Sequence, residues 1–244
     1  MTETTCDGLL NRRLMLEQPK RGYRIAVDTV LLAAGVPAEA GQTILDLGCG
    51  VGGAMLCVAC RVPDTHVTGV EIQQELAELC QRNIQRNGFG DRAEILRADI
   101  VRFESRSAFD HVMMNPPYHD EARHDVSEHA GKRLANSGKE SDVSLWISKA
   151  VEVLNSEGAM TIIHRADVLD RIVTEAQRYF GRIEILPILP KIDAPPKRVI
   201  VRARRGKTEP PRIFQALILH NQDGHYTEQA ERILRHAETL FASV

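Results

Sequence analysis

No apolar run in this 244-residue chain approaches the roughly 20 residues needed to cross a bilayer. Residues 1–7 are too polar for a secretory leader. The five cysteines, Cys6, Cys49, Cys57, Cys60 and Cys80, are odd in number and irregularly spaced, which argues against a disulfide scaffold and for a reducing compartment. The formal net charge is −2, so the field of the whole molecule does not drive binding to a polyanion, and a nucleic-acid partner has to be met by a local basic surface. Internal repeats and low-complexity tracts are missing as well. A soluble cytoplasmic protein with no membrane partner is the expectation. Its 43% hydrophobic and 26% charged content is ordinary for a chain that buries a sizeable core, and its length suits one α/β domain.

The chain instead alternates strand and helix patterns. Thr43-Ile-Leu-Asp-Leu47, His66-Val-Thr-Gly-Val70, Ala93-Glu-Ile-Leu-Arg97, His111-Val-Met-Met114 and Gly158-Ala-Met-Thr-Ile-Ile163 read as strands, and residues 183–189, 198–203 and 213–219 as three more. A helix-like stretch runs from the glycines that end the first strand to about Arg61, and helical spacing fills residues 73–86, 144–154, 166–180 and 227–241. Such alternation implies crossover connections and a mostly parallel, doubly wound sheet, with an antiparallel pair at its C-terminal edge. Residues 119–140 are polar and too long for a simple connection, and the proline-rich stretch 190–197 reads as a rigid connector. The expected organisation is a single domain over 1–244, with an N-terminal segment (1–40), a core (41–189) and C-terminal strands and helix (190–244).

The most informative stretch is Asp46-Leu-Gly48-Cys-Gly50-Val-Gly52-Gly53, where the first strand meets its helix. Glycines there allow a sharp turn and leave room for a ligand at the helix N-terminus. Glu71 ends the second strand about 20 residues on, the position from which an acid takes ribose hydroxyls. Asp99 ends the third strand, within reach of an adenine edge, and Ile72 and Ile100 follow these two acids as further cofactor contacts. Nicotinamide dinucleotides also use glycine turns. Asp46 disfavours a pyrophosphate, whereas it suits the cationic ammonium and sulfonium of S-adenosylmethionine. The plainer reading is a tight turn with Asp46 or Asp99 as a helix cap.

Asn115-Pro116-Pro117-Tyr118 follows the fourth strand. Ligands in an open α/β sheet lie at the carboxyl ends of the strands, so this motif faces the same crevice as the glycine turn. An exocyclic amine on a purine is a poor nucleophile because its lone pair is delocalised. The Asn115 side-chain oxygen and the Pro116 carbonyl can each accept one amine hydrogen, favouring a pyramidal nitrogen. The prolines stiffen the backbone, and Tyr118 offers a flat face for a base. The four residues form the expected catalytic group, and Asn115 is also placed beside the cofactor.

These residues resemble the class I, Rossmann-like amino-methyltransferases, and within them the bacterial valine-tRNA adenine N6-methyltransferases. The upstream element Gln18-Pro-Lys-Arg-Gly-Tyr-Arg24, with Asp28 and Leu31-Leu32, is similar to the segment that closes over the cofactor in that family. The resemblance adds Arg24 and Asp28 to the cofactor-binding set, and it covers residues 18–220. It implies S-adenosylmethionine as cofactor and tRNA or another structured RNA as partner. Enzymes that methylate glutamine in release factors or guanine in ribosomal RNA carry similar motifs. A protein-glutamine methyltransferase and a non-catalytic cofactor- or RNA-binding module therefore stand as alternatives.

Residues 190–212 hold eight Lys/Arg against two acids, and residues 12–24 hold five against one. These clusters suit a phosphate backbone, and Arg202 and Arg204 are expected to share a strand face within such a patch. Cys57 and Cys60 have metal-like spacing but no second pair, so core packing is the reading and no metal is expected. His119, His124 and His129 read as solvated or substrate-facing, and Trp146 as core.

Overall fold

The computed structural model describes residues 3–22, 24–105, 107–117, 143–206 and 208–241. Its parallel centre consists of β3 (Thr43–Leu47), β4 (His66–Glu71), β5 (Ala93–Arg97), β6 (Phe109–Met114) and β7 (Leu154–Arg165). β3, β4 and β6 bury consecutive side chains rather than alternate ones, as strands covered by helices on both faces must. One face carries α1 (Val27–Gly35), α2 (Gly53–Arg61) and α3 (Gln74–Arg86), and buries Leu31, Leu32, Leu56 and Ile84. The other carries α4 (Val143–Val153) and α5 (Leu169–Ala176), and buries Leu45, Leu47, Met114, Trp146 and Ile147. Each such leucine or isoleucine contributes about 1.5–3 kcal/mol by leaving water.

β8 (Arg182–Leu189) and β9 (Arg198–Arg204) complete the C-terminal edge. With β10 (Arg212–Ile213) outermost, the strand order among the described residues is β10-β8-β9-β7-β6-β3-β4-β5. β9 is antiparallel to both β7 and β8, so the antiparallel edge expected from the sequence is present and is made by one reversed strand. Residues 213–219 do not form one strand. β10 (Arg212–Ile213) and β11 (Leu217–Ile218) each pair with β8 in parallel. Between them Phe214 donates its N–H to the Ile185 carbonyl at 2.8 Å and packs its ring edge-on against Phe241, with ring centroids 5.0 Å apart. The last helix, α6, is also shorter than its periodicity predicts. It spans Glu228–His236 and stops at Ala237, whose φ is 61°. The chain then turns back so that the Leu240 N–H reaches the Ala34 carbonyl at 2.9 Å.

Two elements escaped the periodicity. β1 (Thr4–Leu9) and β2 (Leu14–Pro19) form a separate antiparallel hairpin. Its tip places Leu10, Asn11 and Arg12 at φ of 49°, 56° and 65°. None of the three is glycine, so the usual turn signal is missing. The hairpin rests on α2 and α3, and α1 follows it.

At the amino edge of the sheet Asp110 accepts hydrogen bonds from the Thr43 N–H (2.8 Å), the Thr43 hydroxyl (2.9 Å) and Asn155 Nδ2 (2.6 Å). Beside it, His111 is buried and its Nε2 meets Gln42 Oε1 at 2.8 Å. Burial pushes this imidazole down to about 4, so the folded state stays unprotonated where the unfolded histidine takes up a proton. The stability this provides is complete above the ordinary histidine value and is lost as pH falls from about 6.5 towards 4. Urea unfolding at pH 7 and pH 5 checks it. His111→Gln is expected to lose about 2 kcal/mol less than the native chain between those two values.

Candidate active site

Leu47 pairs with Val70 on one side and with Met114 on the other, and Glu71 pairs with Arg97. The carboxyl ends of four strands are therefore level. The segments that follow them, 48–53, 72–73, 98–101 and 115–117, stand in one row. Strand spacing puts Asn115 about 5 Å from the end of β3 and about 10 Å from the end of β4.

The turn after β3 carries left-handed glycines at 48, 50 and 52. At Gly48 (φ 69°) a Cβ would lie 2.7 Å from the Trp146 ring, and at Gly52 (φ 86°) one would lie 2.7 Å from Cys80 Sγ. Side chains from α4 and α3 thus press on the turn from both faces, and larger residues there are excluded by space as well as conformation. Trp146 is a core residue, as the sequence suggested, but its place against the turn was not legible.

Two buried carboxylates hold the turn from below. Glu71 accepts the Gly50 N–H at 3.0 Å and the Gln73 N–H at 2.8 Å, so one side chain ties the turn to the start of the next segment. Burial raises its pKa. Asp46 accepts the Met55 N–H of α2 at 3.2 Å. Burial, reinforced by the negative charge of Glu71, pushes Asp46 up to about 8. A pair of acids in this state is relieved by a cation.

The remaining residues read from the sequence fall as follows. Asp99 lies on the same edge and its Oδ1 accepts the Val101 N–H at 2.9 Å. Ile72 is 47% exposed, whereas Ile100 turns into the core with Phe103. Val101, also 47% exposed, was not singled out; it is the exposed apolar side chain after β5, as Ile72 is after β4. Lys149 of α4 donates to the Phe103 carbonyl at 3.2 Å and steadies this segment. Asn115 is half-buried, Pro116 buried and Pro117 exposed. Arg24 binds Asp7 (3.1 Å), Thr5 Oγ1 (3.2 Å) and the Pro19 carbonyl (3.0 Å) in the hairpin. Asp28 accepts from Arg198 Nε at 2.7 Å. Tyr118, the loop 119–140 with its three histidines, and Lys207 lie outside the described residues.

The basic strand does not form the expected patch. Because β9 is reversed, Arg204 shares a rung with Ala159 towards the amino edge of the sheet, whereas Arg202, on the same strand face, lies mid-sheet on the rung of Thr161. Arg202 has a side-chain exposure of 15%, binds Glu184 at 2.5 Å and lies 4.1 Å over the Phe241 ring. Arg205 donates to the carbonyls of Val151, Leu154 and Asn155 at the end of α4. In the 190–198 stretch, which returns to the carboxyl edge, Lys191 and Lys197 are exposed. Cys57 packs in the core and Cys60 against it.

A parallel sheet with a glycine turn after its central strand, an acid ending the next and one reversed strand at the edge defines a Rossmann-like class I methyltransferase. Residues 23–186 match the methyltransferase small domain family, and the chain belongs to that family. It is an S-adenosylmethionine-dependent methyltransferase. A protein from Bacteroides thetaiotaomicron named tRNA1(Val) (adenine(37)-N6)-methyltransferase is 28% identical over 75% of this chain and 77% of its own length. One of the same name from Actinobacillus pleuropneumoniae is 24% identical over 95% and 97%. A predicted O-methyltransferase of known structure from Agrobacterium tumefaciens superposes with a TM-score of 0.70 at 26% identity, covering 89% of this chain and all of that one. A methyltransferase from Pyrococcus furiosus shares the fold, with a TM-score of 0.58 at 18% identity, over 79% and 89%.

The buried acids suit a cationic cofactor, and a role for Asp46 in holding it predicts a pH dependence. Cation binding favours the ionised carboxylate, so it releases a proton wherever free Asp46 is still protonated, which is below about pH 8. Affinity for S-adenosylmethionine is therefore expected to rise as pH climbs towards about 8. Calorimetry at pH 6.5 in two buffers of different ionisation heat is expected to show release approaching one proton, and none in Asp46→Asn. Equal heats in both buffers for the native chain would contradict the assignment.

Proposed function

We propose that this methyltransferase acts on the exocyclic N6 of an adenine in tRNA. The observation that carries the reading is the rung joining Leu47 to Met114, which sets Asn115-Pro116-Pro117 one strand away from the glycine turn. The names of the relatives support the RNA substrate. The bound cofactor supplies an already activated methyl group, so no strong base is required and positioning provides most of the rate. The Asn115 side-chain oxygen accepts one hydrogen of the target amine and the Pro116 carbonyl accepts the other. Two acceptors on one nitrogen draw its lone pair out of the purine ring and aim it along a fixed line. Pro116 and Pro117 bring no backbone N–H that would compete for the amine, and Tyr118 stacks on the base. Arg24 and Asp28 support the cofactor side through the segment that precedes and opens α1.

Transfer of labelled methyl from the cofactor to total RNA, followed by nucleoside analysis, tests the reading. Label in N6-methyladenosine from tRNA supports it. Label in protein that survives nuclease points to a glutamine substrate, and no label in either points to a binding module. Asn115→Ala is expected to lower single-turnover transfer at least 100-fold, on the order of 3 kcal/mol, with cofactor affinity within a few-fold. Near-normal transfer would remove Asn115 from this role.

A docked RNA has to reach the carboxyl edge, so its phosphates meet Lys20, Arg21, Lys191 and Lys197 rather than β9. Changing Lys191 and Lys197 to Glu should flatten the salt dependence of tRNA binding by about two charges. Arg204→Glu should leave the slope unchanged. Equal slopes for the native chain and the double variant would exclude the 190–197 connection as the RNA surface.

A further inference from the structure

We infer that Asn83 is a positioning residue of the cofactor site, joining the N-terminal hairpin to the glycine turn through one side-chain amide. Asn83 lies on α3 and Asn87, four residues on, caps its C-terminus, a rise of about 6 Å. Alternate residues of β2 repeat at about 6.6 Å, so the two amides meet Glu17 and Met15 in step. Asn87 Oδ1 accepts the Met15 N–H at 2.9 Å and its Nδ2 donates to the Met15 carbonyl at 3.0 Å. Asn83 repeats the pattern with Glu17, at 2.7 Å and 2.9 Å. The helix in effect supplies a third strand to the hairpin.

The two amides differ in their second donor hydrogen. Asn87 spends it within α3, on the Asn83 carbonyl at 2.7 Å. Asn83 donates it to the Val51 carbonyl, 2.9 Å away in the middle of the glycine turn. Val51 and Asn83 are both fully buried, so without this bond the carbonyl faces no water. The amide is planar and rigid, and it fixes Val51 relative to the backbone at Glu17. Val51 lies between Gly50, whose N–H is held by Glu71, and Gly52, whose N–H binds the Cys49 carbonyl at 2.9 Å. The hairpin, residues 4–19, lies outside the stretch matched by the family. It thereby acts as a strut that sets the geometry of the turn.

Asn87 is the built-in control, since its loss frees the hairpin as much as the loss of Asn83 but leaves Val51 bonded. Affinity for S-adenosylhomocysteine, measured by calorimetry on the full chain, should fall roughly tenfold or more in Asn83→Ala. Asn87→Ala should stay within about twofold while its melting temperature drops comparably. In Asn83→Asp, which keeps the acceptor and sets an oxygen against the Val51 carbonyl, the loss should be larger than in Asn83→Ala. Native affinity in Asn83→Ala, or an equal loss in Asn87→Ala, overturns the proposal. Should the Asn83 variants fail to fold, the native chain decides. Saturating S-adenosylhomocysteine is expected to slow hydrogen exchange at the Glu17 amide, which Asn83 holds, at least threefold, because coupling between two sites is reciprocal. Unchanged exchange overturns it.

Discussion

The site rests on the position of β3 between β4 and β6. Its last residue shares a rung with Val70 and with Met114, and no loop could restore the arrangement if that rung were lost. Slipping β6 by one residue would carry Asn115 about 3.3 Å along the sheet axis and turn every buried side chain of the strand to the opposite face. The apolar contacts of Val112 and Met114 on one side of the sheet and of Met113 on the other oppose that slip. The same burial that stabilises the fold thus keeps Asn115 beside the glycine turn.

Rigidity around that turn comes from unlike sources. The Trp146 ring and the Cys80 thiol limit its volume, Glu71 holds the Gly50 N–H, and Asn83 fixes a carbonyl. Preorganisation of this kind lowers what binding must spend on ordering the loop. It also explains why three left-handed residues in five positions are tolerated. Burial and the neighbouring Glu71 charge hold Asp46 protonated up to about 8, and a cation beside it would favour the ionised form.

Much of this was readable from the amino-acid order, for definite reasons. The central strands announced themselves as apolar runs ending in glycine or acid, and level strand ends follow from parallel pairing, so Asp46, Glu71, Asp99 and Asn115 could be placed on one edge before any coordinates. What escaped depends on long-range partners. β2 alternates weakly because its outer edge is satisfied by asparagine side chains of a helix more than 60 residues away. Nothing local distinguishes Asn83 from any polar helical residue. The basic count over 190–212 was misleading for the same reason: charge is visible in sequence, but the acids, rings and helix ends that absorb Arg202, Arg205 and Arg198 are not. Ile100 shows the limit of reasoning by proximity, since adjacent residues on one loop face opposite ways.

The insertion of β9 between β7 and β8 bears on how the chain is made. The pairing partners of β8 among the described residues are β9, β10 and β11, all of which follow it in sequence. On the ribosome, strands β3 to β7 can assemble as they emerge, because each of β4 to β7 finds a neighbour already present. β8 cannot, and its apolar segment Ile183-Glu-Ile-Leu-Pro-Ile-Leu189 stays without a ladder until residues 198–204 have been translated. At about 5–20 residues per second that interval lasts on the order of a second or more, long enough for an unpaired apolar strand to meet another chain. Rare codons between β8 and β9 would lengthen it. The yield of this protein should therefore be sensitive to translation speed over that one connection.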